Sequence, residues 1–374
     1  MTIEEYRFWL GNINKIGIKK INLLLQVFVS AEGIYHAKKE DLELFKKECC
    51  PGNLRFNDSD INAICESRNP EEIIENYNKL KEKGISYISK EDELYPSKLR
   101  NVFDAPYSLF YKGRLPREGE KILAIVGARE CSNGGREIAR YFAAAVAKEG
   151  ISVISGLARG IDTHAHEGCL SAGGVTYGIL GSGIDICYPR ENIGQYMEMQ
   201  KIGGIISEYG PGVQPYAGNF PMRNRIISAL SDRILIVEAK NKSGSLITID
   251  LGLEQGKDIY AIPGRITDQL SGGCNNLIKM GAKLVTQPQD ILEDYILEYK
   301  QSLPNLKKIN NLLELNEKIV YASLCLEPKH VNDIASETGF TIDILMEQLL
   351  QLELKGYIKQ TRKNYYITQE MMLN

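Results

Sequence analysis

The sequence predicts an α/β protein whose central part is a parallel sheet covered by helices on both faces. Two observations in the 374 residues lead to this prediction. Between about residues 121 and 285, glycine recurs every few residues between short β-branched runs, whereas the flanking parts are glycine-poor with helical periodicity. Within the glycine-rich span, near-continuous apolar runs alternate with helical patterns, which is typical of parallel strands that are buried on both faces.

The glycine-rich span contains the apolar runs that we predict to be strands, with helical patterns between and after them. The strands are predicted at 122–126, 151–155, 175–180, 204–207, 233–238, 258–262 and 283–285, and the helices at 136–148, 163–172, 224–230, 246–255, 275–280 and 291–299. In such a sheet a ligand binds beyond the carboxyl ends of the strands, so functional residues are expected in the loops that follow them.

The flanking parts divide the chain into four predicted segments. These are an N-terminal helical domain with its linker over 1–115, the sheet domain over 116–297, a linker over 298–311 and a C-terminal domain over 312–374. The turn Lys15–Ile18 belongs either to a helix-hairpin-helix, which contacts phosphates through backbone amides, or to an ordinary helical pair. In the C-terminal domain, helical patterns at 315–325, 331–338 and 342–355 precede a hairpin at 358–367, which is the order of a winged helix.

Composition and charge exclude several classes of protein. With 43% apolar and 25% charged residues the chain has the composition of a soluble globular protein, and a net charge of −3 excludes a globally basic nucleic-acid binder but not a basic cleft. No run approaches the roughly 18 apolar residues of a membrane span, and no secretory signal is visible, so we expect a cytoplasmic protein without membrane contact. The eight cysteines form no CxxC and no zinc-type cluster, which predicts reduced thiols and no metal site.

The loop after the first predicted strand carries an arginine into a helix. It runs from Gly127 to Gly135 and includes Arg129 and Ser132, ahead of a helix N-terminus with free N–H groups and a partial positive charge. Because it is not a G-x-G-x-x-G loop, and because the next strand ends in Ser155 instead of an acidic residue, a dinucleotide site is disfavoured. The alternative is a glycine turn with an incidental arginine.

The loop after the second strand repeats this arrangement, with Gly156 and Arg159 ahead of a helix. His164 and His166 follow, but two residues apart on a helix they point about 200° apart and cannot share one metal ion. We expect one of them to face the sheet and the other to face a loop.

Later loops add an aromatic ring and further cations. The string from Phe220 to Arg225 is predicted to place a phenylalanine, two arginines and an asparagine at a helix start, and Lys240, Lys242 and Ser243 precede another helix. Arginines bind phosphates and an aromatic ring stacks on a base, although an anchor inside the fold is the alternative role for Phe220. These loops share one sheet edge without a nucleophile–His–Asp order or paired acids, which predicts a polyanion site and not a catalytic one.

These residues resemble the DNA-processing protein A family of bacterial transformation, also called Smf. The most specific strings are SGLARGID at 155–162 and FPxRNRII at 220–227. Shorter matching motifs follow in the same order as in the family: Val126–Arg129 with Ser132, Ala165-His166, Leu180–Gly183 with Tyr188-Pro189, Ser207–Tyr209, Val237–Ala239, Ser243–Ser245 and Pro263-Gly264.

The resemblance implies an extended Rossmann-like sheet that binds single-stranded DNA, with no catalytic activity and no cofactor. It also implies a SAM-like or helix-hairpin-helix N-terminal domain, a C-terminal winged helix and a homodimer formed through the central domain. The implied role is to protect incoming single strands, to load the RecA recombinase on them, and to exchange them with single-stranded DNA-binding protein. The residues expected to contact DNA are Gly127, Arg129, Ser132, Ser155, Gly156, Arg159, Phe220, Arg223, Asn224, Arg225, Lys240, Lys242 and Ser243.

The chain departs from the family pattern just before Phe220. Family members often carry a basic residue there, whereas residues 214–218 contain no cation. One phosphate contact is therefore expected to be missing, or to be supplied by Lys240 or Lys242.

The winged helix does not have the charges of a major-groove reader. Its third helical pattern carries Asp343, Glu347 and Glu353, and DNA binding gains its affinity from cations. A basic and aromatic cluster instead lies in the predicted wing, at residues 359–366. We therefore expect this domain to dock a partner, with a secondary DNA contact through the wing.

A second class, the Rossmann-like phosphoribohydrolases that cleave nucleoside monophosphates, resembles the chain more weakly. The glycine-rich loop of those enzymes places a glutamate three residues after a threonine. Here Thr248 is followed at that spacing by Leu251, and the next acid in phase is Glu254. A general base displaced by one helical turn does not reach the same substrate atom, which argues against this enzyme.

Overall fold

The structure, a computed structural model, describes residues 1–48, 56–301, 315–324, 328–355 and 357–368. The chain folds into two compact units, Met1–Leu292 and Glu293–Asn374. The first unit contains a helical N-terminal region and a large mixed sheet, and the second contains a small helical domain with a short sheet of its own.

Helices form the N-terminal region, as predicted. α1 begins at a capping box, in which the Glu5 backbone N–H donates to Thr2 Oγ1 and the Thr2 N–H donates to the Glu5 carboxylate. Trp9 on α1 is buried, and its Nε1 donates to Ser67 Oγ over 2.8 Å, which ties α1 to the end of α5. The helices are α1 (Ile3–Gly11), α2 (Ile18–Phe28), α3 (Ala31–His36), α4 (Lys39–Glu48), α5 (Asp58–Glu66) and α6 (Pro70–Glu82).

The large sheet of the first unit has the strand order β1-β2-β6-β5-β4-β3-β7-β8-β9 within the described residues. Strands β3 to β9 pair in parallel and coincide with the predicted apolar runs, which confirms the α/β fold class. The strands are β1 (Ser86–Ser89), β2 (Ser108–Gly113), β3 (Ile122–Val126), β4 (Ser152–Ser155), β5 (Thr176–Leu180), β6 (Gly204–Ser207), β7 (Arg233–Ile236), β8 (Asp258–Ala261) and β9 (Lys283–Leu284).

The order of the parallel strands locates the place where a ligand is expected. From β3 the chain proceeds outward through β4, β5 and β6 on one side, and β7, β8 and β9 extend the sheet on the other side. The loops after β3 and β7 therefore leave the sheet next to each other in opposite directions. A crevice opens at such a switch point, at the carboxyl ends of the strands.

Helices connect the parallel strands and cover both faces of the sheet. All six predicted helical patterns of this region correspond to helices, although α11 begins five residues before its predicted start. α10 was not predicted, because only Tyr196 and Met199 of its residues are buried and no amphipathic pattern marks it, and the short α7 lies in the stretch predicted as linker. The helices are α7 (Ser97–Arg100), α8 (Asn133–Lys148), α9 (Ile161–Ser171), α10 (Ile193–Ile202), α11 (Asn219–Leu230), α12 (Gly244–Glu254), α13 (Gly272–Lys279) and α14 (Gln289–Gln301).

Residues 86–113 differ from the prediction, which assigned them to a helical domain and its linker. They supply β1 and β2, which pair antiparallel with each other, and β2 pairs antiparallel with β6. The two strands are short and their partner β6 lies far along the chain, so the pairing is a tertiary contact that no local pattern signals. The division of the chain into four segments stays a proposal.

The second unit is a winged helix, as predicted. Helices α15 (Leu315–Ala322), α16 (Val331–Thr338) and α17 (Ile342–Leu354) precede the hairpin of β11 (Ile358–Arg362) and β12 (Tyr365–Thr368), and β10 (Lys329–His330) completes a sheet in the order β10-β12-β11. Ile334, Leu345 and Leu349 are fully buried in its core. Most of the predicted 298–311 linker, and the end of the first predicted helix at residue 325, lie outside the described residues.

The described cysteines are free thiols, and two of them, Cys169 and Cys274, are buried. Burial raises the pKa of each of these two thiols to about 12, so neither is a reactive nucleophile at neutral pH. Nowhere in the described ranges are three or more His, Cys, Asp and Glu side chains arranged to hold a metal ion. In the same ranges, every helix is too short or too polar to cross a bilayer.

Candidate nucleic-acid interface

An open cleft of about 690 Å³ lies at the switch point, beyond the carboxyl ends of β3 and β7. Its walls are the loop after β3, the segment that leads into α11, and the segment from β7 into α12. The lining residues are Val126, Gly127, Ala128, Arg129, Glu130, Ala158, Asp162, Tyr188, Pro215, Ala217, Phe220, Pro221, Arg223, Asn224, Ile227, Lys240, Lys242, Ser243, Gly244, Ser245, Ile247 and Thr248.

An aromatic pair and an arginine form one wall of the cleft. The Phe220 ring is half-buried, and the Arg129 guanidinium carbon lies 5.1 Å from its centroid, which is a cation–π contact. On another side, the Tyr188 ring centroid lies 5.8 Å from that of Phe220. Because Arg129 is exposed and both rings keep part of their surface free, this wall presents a charge and aromatic faces to the same space.

Another wall of the cleft is the N-terminus of α12 with the lysines that precede it. Lys240 and Lys242 are exposed, and Ser243 caps the helix by accepting a hydrogen bond from the Ser245 backbone N–H. Asn224 Nδ2 donates to the Gly244 carbonyl over 3.4 Å and so joins α11 to this turn. The partial positive charge of the helix N-terminus adds to the charges of the two lysines.

The cleft has a charge of opposite sign to that of the whole chain. Among the described residues that line it, the cations Arg129, Arg223, Lys240 and Lys242 outnumber the carboxyl groups of Glu130 and Asp162. The complete chain has 48 acidic and 45 basic residues. The local excess of cations is the arrangement that a polyanion requires, and it is invisible in the net charge.

Arg223 lies beneath the surface of the cleft, with 4% of the residue exposed. Its Nη1 donates to the carbonyl oxygens of Gly156 and Ile179, so one guanidinium joins the loop after β4 to the end of β5. Burial lowers the pKa of Arg223 to about 10, which still leaves the side chain charged at neutral pH. The guanidinium packs so closely on Gly156 that it leaves no room for a Cβ at that position.

Asp162 is the buried acid whose charge acts on Arg223. Its Oδ2 accepts a hydrogen bond of 3.1 Å from the Gly156 backbone N–H. Burial raises the pKa of Asp162, and the charge of Arg223 and the backbone donors oppose that rise. Arg223 and Asp162 therefore stabilise each other's charged forms. Because both of them hydrogen-bond to the Gly156 backbone, they also fix the loop of the SGLARGID string.

Arg225 is not brought to the cleft, contrary to the prediction. It is 2% exposed and donates to the Glu208 carboxylate over 2.5 Å and to the Asp104 carbonyl over 2.7 Å. The predicted helix start at residue 224 was wrong, because α11 begins at Asn219 and the whole FPxRNRII string is helical. Two residues apart on a helix, Arg223 and Arg225 point about 200° apart and cannot both face one cleft.

Three other predicted DNA contacts also have partners away from the cleft. Ser132 Oγ donates to Glu238 and caps α8 by accepting from the Gly135 N–H. Ser155 is fully buried, and its Oγ donates to the Ile125 carbonyl over 2.6 Å. Arg159 is exposed and forms an ion pair with Glu191 at 2.9 Å. Of the residues predicted to contact DNA, these three together with Gly156 and Arg225 lie outside the cleft lining. The others line the cleft: Gly127, Arg129, Phe220, Arg223, Asn224, Lys240, Lys242 and Ser243.

Sequence reasoning missed several residues of the cleft. Tyr188 completes the aromatic wall, Ser245 joins the α12 turn, and Pro215 and Ala217 come from the segment before Phe220 that lacks a cation. The motif Tyr188-Pro189 was the available signal for the second ring. Lys240 and Lys242, proposed as substitutes for the missing cation, do line the same cleft.

The residues that would make the cleft a phosphoribohydrolase site are not together. Thr248 lines the cleft and is buried, but Leu251 occupies the position of the required carboxylate. Glu254 is exposed at the end of α12 and is absent from the described lining. The structure therefore offers no glutamate of α12 as a general base in this cleft.

The two histidines of α9 have separate structural partners, as the helical spacing predicts. His166 is fully buried, and its Nδ1 is 2.7 Å from Thr176 Oγ1 on β5. His164 pairs instead with Glu167, at 2.8 Å. Burial, together with the charge of Arg223, lowers the pKa of His166 to about 3, so its imidazole is neutral in the folded protein.

The buried His166 predicts acid sensitivity of the first unit. In the unfolded chain His166 is protonated below its ordinary pKa of 6.5, whereas in the folded protein it stays neutral down to about pH 3. The folded state therefore loses stability as the pH falls through this range. His166→Asn keeps a group near the Thr176 hydroxyl but does not titrate. We expect the variant to lose less thermal stability than wild type between pH 7 and pH 5, as measured from Trp9 fluorescence. An equal loss in both proteins would contradict the assignment.

The fold and the cleft define a Rossmann-like protein with a cationic, aromatic cleft at its switch point, accompanied by a helical N-terminal region and a winged helix. Residues 86–296 match the family model of DNA recombination-mediator protein A, and residues 312–362 match the DprA winged helix domain. The chain therefore belongs to the DNA-processing protein A (DprA/Smf) family.

Characterised members of this family are similar over most of their length. The DNA processing protein DprA of Streptococcus pneumoniae is 41% identical over 248 residues, which are 63% of this chain and 86% of the relative. An X-ray structure of DNA processing protein A from the same species has a TM-score of 0.57 at 35% identity and covers 78% of this chain and 98% of that one. A Helicobacter pylori DNA processing protein A structure, described for its single-stranded DNA binding mode, has a TM-score of 0.52 at 28% identity over 57% of this chain and 96% of its own.

Proposed function

We propose that this chain binds single-stranded DNA in the cleft between β3 and β7 and does not cleave it. The observation that carries the proposal is the half-buried Phe220 ring, which contacts the exposed Arg129 and lines the same cleft as the exposed Lys240 and Lys242. Cations hold phosphates of any nucleic acid, whereas an aromatic face requires an unpaired base to stack on it. The combination favours a single strand over a duplex, whose bases are already stacked on one another.

The relatives support the same ligand. The Helicobacter pylori protein with the same fold binds single-stranded DNA according to its description, and 96% of its length is covered. Membership of the family supports the further roles of protecting incoming strands, of loading RecA on them and of exchanging them with single-stranded DNA-binding protein. A cytoplasmic location is part of the proposal, because these steps act on DNA inside the cell.

A homodimer formed through the central domain is part of the proposal. The edge strand β9 has no neighbour on its outer side among the described strands, and Leu284 on β9 and the nearby Met280 are 46% and 78% exposed. An exposed edge strand with apolar side chains beside it is a ready surface for a second copy. Sedimentation of the full chain measures its oligomeric state.

The central experiment compares single-stranded and double-stranded DNA of the same length over a series of salt concentrations. We expect tighter binding of the single strand, with log affinity falling by about 0.7 per phosphate contact for each tenfold rise in salt. Equal affinity for both forms would contradict the cleft as the binding site. Incubation with nucleoside monophosphates is expected to release no base, and a released base would instead indicate an enzyme.

Replacing Phe220 separates stacking from charge. Phe220→Ala removes the ring but no cation, so we expect single-strand affinity to fall about tenfold or more while the salt dependence keeps its wild-type slope, since a stacked base contributes roughly 1–3 kcal/mol. Phe220→Tyr keeps a ring of similar size and serves as the matched control. A lower slope in Phe220→Ala would mean that the ring acts only by positioning Arg129.

A further inference from the structure

The outer side of α17 in the winged helix exposes a row of apolar side chains. Ile342, Met346, Leu350 and Leu354 are 45%, 37%, 56% and 75% exposed. They recur every four residues, so they form one continuous stripe along the helix. The core-facing row, by contrast, consists of Leu345, Leu349 and Leu352, which are completely buried. The exposed stripe is therefore additional to the side that the winged helix needs for its own core.

Acidic side chains border this stripe. Asp343 and Glu347 are exposed, and at 100° per residue they lie on the side of the stripe that faces away from the core. Glu353 is half-buried, and its Oε1 accepts a hydrogen bond from the Gln360 N–H. From residue 341 to residue 354 the sequence contains no lysine, arginine or histidine. The surface is thus apolar in the middle and negative at its edge, and we call it the α17 face.

We propose that the α17 face docks another protein through an amphipathic helix whose apolar side is flanked by lysines or arginines. Four apolar side chains at one helical spacing match the apolar side of a second helix, as in other helix-in-groove complexes. The acidic edge selects a basic partner because opposite charges at the rim of an interface speed association and exclude partners of the wrong charge. This proposal concerns the second unit and is independent of the proposed DNA cleft.

The charges of the α17 face argue against a second copy of itself. The stripe is symmetric about residue 348, so an antiparallel copy would match Met346 with Leu350 but would also set Asp343 against the other copy's Glu353. The two Glu347 carboxylates would come close to each other as well. Like charges at a rim cost affinity, and the same acidic edge disfavours a nucleic acid.

The test uses the full chain and a fluorescent peptide as a probe. The peptide is a helix of about three heptads with leucine at the a and d positions and lysine elsewhere, and its control has glutamate in place of every lysine. Fluorescence anisotropy measures both affinities. We expect the lysine peptide to bind at least about tenfold more tightly than the glutamate peptide, because only the lysine form complements the acidic edge.

Two double variants test the two properties of the face separately. Met346→Ser with Leu350→Ser removes the centre of the stripe, and Asp343→Lys with Glu347→Lys reverses its edge. Each is expected to weaken binding of the lysine peptide about tenfold or more. The matched control is Leu94→Ser with Glu93→Lys, which changes an exposed leucine and acid of the first unit and should leave peptide binding unchanged. Circular dichroism verifies that each variant keeps the wild-type helix content.

Several results would overturn the proposal. Unchanged peptide binding in both double variants would place the probe elsewhere, and equal binding of the two peptides would remove the role of charge. Self-association of the full chain that disappears in the Met346 and Leu350 variant would assign the face to a second copy. Peptide binding that appears only after deletion of residues 302–314 would assign it to a segment of the same chain.

Discussion

Replacing Arg129, Lys240 and Lys242 together with alanine is expected to weaken single-stranded DNA binding by about two orders of magnitude near 0.1 M salt. Each phosphate contact on a single strand contributes about 0.7 to the slope of log affinity against log salt, so losing three contacts lowers the slope by about 2. All three side chains are exposed in the cleft lining, and none is needed to fill the core. The loss is expected to be similar for all sequences, because phosphates carry no sequence information.

The control for this variant is an exposed cation outside the cleft. Lys148 is the last residue of α8, a helix that starts after the carboxyl end of β3 and ends before the amino end of β4. It therefore lies near the amino ends of the strands, whereas the cleft lies at their carboxyl ends. Lys148→Ala should leave both the affinity and the salt slope close to wild type. A triple variant that binds as tightly as Lys148→Ala would show that the strand does not pass through this cleft.

The sheet was predictable from the sequence because its strands are buried on both faces. Runs such as Ile122–Val126 are apolar throughout, so a buried parallel strand can be recognised from its own residues without knowledge of the strands beside it. The strands β1 and β2 were not predictable in the same way, because their pairing depends on β6 from a distant part of the chain. The loops at the cleft could be predicted because a ligand of a parallel sheet binds at the carboxyl ends of the strands. This rule locates the loops but not the contacts of their individual side chains.

The chemistry of the individual cations was harder to predict than their location. An arginine near a helix start serves equally well as a phosphate donor or as a buried clamp, and only the helix phase decides between these roles. Arg129 lies on a loop and is exposed. Arg223 and Arg225 lie within α11 and donate hydrogen bonds to carbonyl and carboxylate groups of the protein. An error of five residues in the start of α11 was enough to assign Arg223 and Arg225 to the DNA-contacting surface.

The N-terminus of α8 was also predicted to bind a phosphate, but a carboxylate of the protein binds there instead. The sequence predicts free N–H groups there for a phosphate. In the structure the Ser132 N–H donates to the Glu238 carboxylate over 2.9 Å, and the Ser132 hydroxyl donates to the same group. An acid from the end of β7 therefore occupies the anion position. Its presence there depends on β7 lying beside β3, which is again a tertiary contact.

Arg223→Ala is expected to destabilise the first unit by about 3–5 kcal/mol, because it removes a buried cation that donates to two carbonyls and whose charge stabilises a buried carboxylate. The change leaves the Gly156 and Ile179 carbonyls without their donor and leaves the Asp162 carboxylate buried without its cation. Urea unfolding followed by the fluorescence of Trp9, the single tryptophan of the chain and a buried residue of this unit, measures the loss. Arg159→Ala, which removes an exposed ion pair, should leave the unfolding midpoint nearly unchanged.

The pH dependence of the Arg223→Ala loss identifies its cause. Burial already raises the pKa of Asp162, and without Arg223 that pKa rises further. A carboxyl group whose pKa is higher in the folded than in the unfolded state gains stability as pH falls through the folded value, because the folded protein binds the proton first. The destabilisation is therefore expected to be smaller at pH 5 than at pH 8. Adding Asp162→Asn should recover part of the loss at pH 8, since the amide carries no charge to bury. If the loss is the same at both pH values and the second substitution recovers nothing, the unpaired carboxylate is not its source, and the two lost carbonyl contacts account for it instead.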